Sequence, residues 1–187
     1  MTDTETTQAS PDDKKQRIES TPTGDAASFH VPGMAVEKSE KVAKLLQDRL
    51  VALLDLHLTL KHIHWNVIGP SFIGVHEMLD QHVIAARDFA DAVAERIATL
   101  GYEPVGTPGF VVKNRTWDDY DLLRAGTQEH LSKLDEVYKG VVEDHRVAME
   151  QLDELDPVSQ DMIISQLEQL EQYQWFVRAH LETNTAS

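Results

Sequence analysis

From Lys41 onward, apolar residues return at three- and four-residue steps: Val42, Leu45, Leu46, Leu50, Leu53, Leu54 and Leu60. That is the period of a helix with one buried face, and it predicts a first helix from Ser39 to Val67, ended by Gly69 and Pro70. Ser71 is placed to cap a second helix with the stripe Val75, Leu79, Val83, Ala86, Val93, Ile97 and Leu100, and Gly101 to stop it. Tyr102 to Arg115 has prolines and glycines but no helical period, so it reads as a long connection, with a short helix expected after a Thr116 cap. A third helix is predicted over Thr127–Leu155. Asp156-Pro157 then starts a fourth, whose buried side is expected to hold Ile163, Ile164, Leu167, Leu170, Trp175 and Val177. The fold class is all-α: a bundle of four helices, each about 40 Å long at 1.5 Å per residue.

The crossing between the second and third helices is long enough to traverse the bundle, as in ferritin-like folds, although cytokine-type bundles also use long crossings. Residues 1–38 hold few apolar side chains and read as a flexible polar N-terminal tail, residues 39–184 as the bundle, and 185–187 as a short C-terminal end. The chain carries 32 acidic and 17 basic residues, a formal charge of −15, which disfavours a phosphate backbone as main partner. Cysteine is absent, which excludes thiolate nucleophiles and thiolate metal sites, so any metal must rest on His, Asp and Glu. The N-terminus lacks the basic and apolar stretches of a secretory signal, and no run of about 18 apolar residues occurs. The expectation is a cytoplasmic protein with no membrane partner.

Five of the nine histidines, His57, His62, His64, His76 and His82, lie within residues 57–82. A lone helical histidine is more often a hydrogen-bonded core or surface group than a ligand. Here, however, His76 and Asp80 stand four apart on the second helix, as do Asp91 and Glu95, so each pair presents two ligand groups on adjacent turns. The turn at Gly69-Pro70 can bring His64 back to His76 and Asp80. Asp91 cannot join them within one helix, because it lies about 16 Å further along the axis, whereas ligand bonds are about 2 Å. Either the pairs are unrelated, or two copies of the helix run antiparallel and share two sites across a two-fold axis. All four residues fall within roughly a 100° arc, which favours sharing. Asp91 and Glu95 can also be plain solvated carboxylates, but Asp91 sits among Phe89, Ala90 and Val93, where a buried carboxylate needs a partner. Two imidazoles and three carboxylates suit iron, with zinc, manganese or cobalt as substitutes. No Glu-x-x-His occurs, so the usual intrabundle di-iron motif of ferritins is missing.

Residues 62–101, HIHWNVIGPSFIGVHEMLDQHVIAARDFADAVAERIATLG, with TPG, TWDDY and QWFVRAHLE further on, resemble the Dps family of mini-ferritins, in its actinobacterial-like form. The resemblance implies a homo-dodecamer with a di-iron ferroxidase centre at each two-fold interface, His64, His76 and Asp80 coming from one subunit and Asp91 and Glu95 from the next. It implies oxidation of Fe2+ by hydrogen peroxide or oxygen, and storage of ferric mineral in the hollow shell. Trp65 would stand beside the centre or trap radicals, and Lys61 would pair with a ligand carboxylate; plain packing and a surface charge are the simpler roles. Glu136, Glu143 and Asp144 are candidates for an acidic iron pore, or else ordinary exposed carboxylates.

Two other functions compete. Many relatives bind DNA through basic tails, but residues 1–39 hold seven acidic against four basic residues, so weak or no DNA binding is expected. His64, His76 and Asp80 alone resemble the two-His, one-carboxylate site of a single-subunit iron oxygenase, which Asp91 and Glu95 would not serve.

Overall fold

A computed structural model describes residues 29–182. Five helices and two very short strands are present among them: α1 (Val36–Asn66), β1 (Val67–Ile68), α2 (Phe72–Thr99), α3 (Pro108–Asn114), β2 (Ala125–Gly126), α4 (Thr127–Leu152) and α5 (Pro157–Leu181). The long helices form two hairpins, α1 with α2 and α4 with α5, which join through α1–α4 and α2–α5 contacts. This is the predicted four-helix bundle with a long crossing. Its core is one cluster of the residues that the period selects, among them Leu46, Leu53, Leu60, Leu79, Ile97, Leu134 and Ile163, all essentially inaccessible to solvent.

The termini of the helices follow from local chemistry. Gly101 takes φ +92°, and the amides of Tyr102 and Gly101 donate to the carbonyls of Ile97 (3.1 Å) and Ala98 (2.9 Å). This paired closure uses a glycine in the left-handed region to satisfy the last carbonyls of α2. Ser71 occupies the N-cap position of α2 but makes no capping hydrogen bond through its side chain. Asp156 does cap α5, accepting from the amides of Val158 and Ser159.

Three further expectations need correction, and one feature has no counterpart in the sequence pattern. The first helix begins at Val36 rather than Ser39, so residues 36–38 of the predicted tail form its first turn; residues 1–28 and 183–187 lie outside the described residues. The short helix spans Pro108–Asn114 rather than following Thr116. Pro108 fits a first helical position, Phe110 and Val111 bury against Val51 of α1, and Asp55 of α1 takes hydrogen bonds from Arg115 (3.2 Å) and Trp117 (2.7 Å), holding residues 115–117 out of a helix. On α5, Trp175 and Ile164 are exposed rather than buried. The inward position beside Trp175 is filled by Gln174, which donates to Asp135 Oδ1 at 2.9 Å. Finally, Val67 pairs in parallel with Ala125, and Ile68 with Gly126, tying the end of α1 to the start of α4. No alternating pattern announces a ladder this short.

Candidate metal centre

α1 ends at Asn66, so the carbonyl of His64 lies in its last turn, where helical carbonyls have no intrahelical donor. The turn through Gly69, at φ +119°, returns the chain so that His76 Nδ1–H donates to that carbonyl at 3.0 Å. The bond fixes the His76 tautomer and leaves Nε2 with a free lone pair, the form that binds a metal. The His64 and His76 rings stack with centroids 3.6 Å apart, and Phe72 closes on His76 at 5.0 Å. Sequence reasoning missed both the carbonyl of His64 and Phe72. The carbonyl could have been suspected from the position of His64 one turn before the helix end.

Asp80 lies one turn beyond His76. Its Oδ1 stands 2.9 Å from His64 Nε2 and 3.2 Å from Lys61 Nζ. The approach to His64 is close, yet neither ring nitrogen of this buried residue has an aligned hydrogen bond. An imidazole nitrogen and a carboxylate oxygen at such range, without an aligned hydrogen bond, have the spacing of two ligands around a common point. The ligating atoms of His64, His76 and Asp80 all lie within 4.8 Å of one another. Atoms bound to one ion at about 2 Å stand up to about 4 Å apart, so small side-chain rotations bring all three onto one ion. Among the described residues this is the one such group of three or more.

The electrostatics favour the ligating forms. Burial pulls the His64 imidazole below its usual pKa, against the pull of Asp80, and keeps it neutral. The hydrogen bond from Lys61 leads the effects that hold the Asp80 carboxyl below the ordinary carboxylate range. Both shifts widen the pH interval in which a neutral imidazole faces an ionised carboxylate.

Asp91 and Glu95 are not in this group, and both are exposed in the protomer. The expectation that Asp91 is trapped in apolar surroundings therefore fails within one chain: it lines an open groove with Leu50, Leu54, His57 and Arg87. The two residues do continue the stripe of His76 and Asp80 along α2. Trp65 is 70% exposed, and Lys61 pairs with Asp80 as above. Glu136, Glu143 and Asp144 line one cleft of about 320 Å³ with Asp55 and Asp118, where Asp144 also meets Arg49 at 3.6 Å.

A bundle of this topology, with a cluster of His and carboxylate side chains at the outer α1–α2 face, is of the ferritin class, and the family model described as a ferritin-like domain matches residues 43–186. The DNA protection during starvation protein of Mycolicibacterium smegmatis is 58% identical over 156 residues, covering 83% of this chain and 85% of that one. Dps from Mycobacterium smegmatis in its tetragonal form superposes with TM-score 0.83 at 57% identity, over 86% of this chain and 97% of that one. DpsA14 from Streptomyces coelicolor gives TM-score 0.83 at 53% identity, over 87% and 96%. The chain belongs to the Dps family of ferritin-like proteins. No described helix is long and apolar enough to cross a membrane.

Proposed function

We propose that the protein is an iron-oxidising, iron-storing mini-ferritin whose centre is completed across a two-fold interface. The observation that carries this reading is the α2 stripe Ile73, His76, Asp80, Ile84, Arg87, Asp91 and Glu95, spaced three and four residues apart. On it, ligand groups alternate with exposed isoleucines, and exposed Leu58 and Trp65 continue the apolar surface on α1. Exposed apolar side chains at a metal site are the signature of a surface that another subunit covers. Antiparallel pairing of two such stripes sets His64, His76 and Asp80 of one subunit opposite Asp91 and Glu95 of the next, twice per dimer.

Iron is the substrate. Three carboxylates in the ligand set stabilise Fe3+ over Fe2+, so binding lowers the cost of losing an electron. Two Fe2+ ions held together deliver two electrons to one peroxide, which leaves as water rather than as hydroxyl radical. Twelve subunits enclosing a cavity store the ferric product, and the cleft of Glu136, Glu143 and Asp144 draws Fe2+ inward. The reaction is tested by adding Fe2+ anaerobically to the assembled protein, then peroxide, and following ferric absorbance. Wild type develops it at once, and His76→Ala does not; equal rates in the two would remove His76 from the centre.

DNA compaction is the lesser reading. The acidic surface and the acidic balance of residues 1–39 oppose a contact that depends on cations neutralising phosphates. Plasmid DNA should migrate unshifted with the protein at physiological salt, and a salt-resistant shift would reverse the ranking.

A further inference from the structure

Two hydrogen-bonded tyrosine–histidine pairs stand outside the metal cluster. Tyr138 and His82 are sealed in the bundle core, with Oη 2.8 Å from Nδ1. Tyr120 and His130 make the same contact at 2.8 Å, at the end of the bundle where β1 and β2 tie α1 to α4. The Tyr120 ring meets His62 edge-on, with centroids 5.8 Å apart, and His62 lies two residues before His64. Tyr120 is half-buried, whereas His130 has no exposed surface.

The second pair is set up for coupled loss of an electron and a proton. A phenol that gives up an electron becomes strongly acidic, so a base within hydrogen-bond reach makes its oxidation far easier. Burial and the neighbouring Asp121 carboxylate push the Tyr120 phenol up, and burial pulls the His130 imidazole down. Both groups are therefore neutral at rest, and in the tautomer whose proton sits on Nε2 the phenol donates to His130 Nδ1. The other ring nitrogen of His130 has no aligned partner, but the carbonyls of Asn66 and Leu123 face the ring and favour its cationic form, with His62 acting against it and the Glu129 carboxylate for it. Lys133 stands 5.9 Å over the Tyr120 ring, with its charge offset by an ion pair to Asp121.

We propose that Tyr120 and His130 form a one-electron relay that intercepts oxidising equivalents escaping from the iron centre. In the first step a hydroxyl radical, formed when a single Fe2+ reduces peroxide, takes one electron from Tyr120 and becomes hydroxide. The phenolic O–H breaks, and its proton passes to His130 Nδ1. In the second step Fe2+ at the centre gives one electron to the tyrosyl radical and becomes Fe3+, and the proton returns from Nδ1 to the phenolic oxygen. One Fe2+ and one hydroxyl radical are consumed, Fe3+ and hydroxide are formed, and the protein is restored. Tyr120 serves better than Tyr138 because it is partly open to water and lies next to the histidine run at the end of α1.

This relay rests on the ferroxidase reading, so the test has two arms, both on the assembled full chain and both read by electron paramagnetic resonance. In the first arm, iron-free protein is oxidised by a flash-generated ruthenium(III) tris-bipyridine complex. In the second, protein loaded with limiting Fe2+ is mixed with peroxide and frozen. The expected result is a tyrosyl radical in both arms, lost in Tyr120→Phe and kept in Tyr138→Phe. His130→Gln, which keeps a polar partner but removes the base, diminishes the signal and also serves if Tyr120→Phe fails to assemble. No tyrosyl radical in the flash arm, a signal unchanged in both Tyr120→Phe and His130→Gln, or a tryptophan radical in its place overturns the relay. A flash-arm radical with no radical in the iron arm, while ferric absorbance still develops, also overturns it. Absence of ferric absorbance in the iron arm is instead the failure of the ferroxidase reading, and the flash arm still decides the pair.

Discussion

Co-expressing subunits that carry His76→Ala with subunits that carry both Asp91→Asn and Glu95→Gln is expected to restore about a quarter of wild-type Fe2+ oxidation, although each variant assembled alone is inactive. The fraction follows from symmetry. Random pairing makes half of all two-fold interfaces mixed, and an isologous interface repeats every contact twice. In a mixed pair one site combines the damaged His76 with the damaged carboxylates, and the other combines intact residues from each chain. Each pure assembly should be slower than wild type by at least about 100-fold, since even losing the supporting partner of a ligand costs about 10- to 100-fold. Differently tagged subunits and tandem purification isolate the mixed shells, and ferric absorbance after peroxide measures them. A centre contained in one subunit gives another pattern: Asp91→Asn with Glu95→Gln stays active by itself, and mixing adds nothing beyond averaging. Either outcome is far outside the scatter of a rate measurement.

Why the sequence could point to this site is visible in which features are local. His76 and Asp80 are one turn apart on a helix whose stripe and stop signal were both legible, and the closing turn at Gly101 forms as its glycine foretold. The return of the chain at Gly69 brings His64 to them, which a Gly-Pro break suggests but does not guarantee. What was not legible depended on distant partners. The short helix moved because Val51 and Asp55, more than fifty residues earlier, captured Phe110, Val111, Arg115 and Trp117. Trp175 was misplaced because Gln174 found Asp135 on the facing helix, making a polar residue the inward one. Asp91 was expected to need a partner because of its apolar neighbours in sequence, yet in the protomer it faces a groove. On the function proposed above, that partner is supplied by a second subunit seated over the groove.

Replacing Asp156 by alanine should be the most damaging single change away from the metal centre, costing about 3–5 kcal/mol, the usual cost of leaving a buried charge without its partner. Asp156 is 7% exposed. One carboxylate accepts the amides of Val158 at 3.3 Å and Ser159 at 3.2 Å as the cap of α5, takes the Ser159 hydroxyl, and meets Arg96 Nη2 of α2 at 2.7 Å. Alanine removes the cap, worth about 1 kcal/mol, and strands the Arg96 guanidinium at a helix junction that is mostly closed to water. Asparagine separates the two contributions, because it can still cap but cannot neutralise Arg96, so it should fall between wild type and alanine. The pH dependence has a definite sign. Burial acts to raise the Asp156 carboxyl, but the Ser159 hydroxyl and Arg96 together outweigh it and hold the folded-state pKa below the ordinary aspartate value of 3.8. A group depressed in this way contributes its stability above the unfolded-state pKa, and loses it as the pH falls through the folded-state value. The gap between wild type and Asp156→Ala is therefore full at neutral pH and narrows below about pH 4. Urea midpoints at one fixed protein concentration, needed because assembly is linked to folding, measure it at each pH. A neutral-pH gap under about 1 kcal/mol would mean that Arg96 finds another partner or water, and a gap that widens in acid would show that the Asp156 carboxyl is raised rather than depressed.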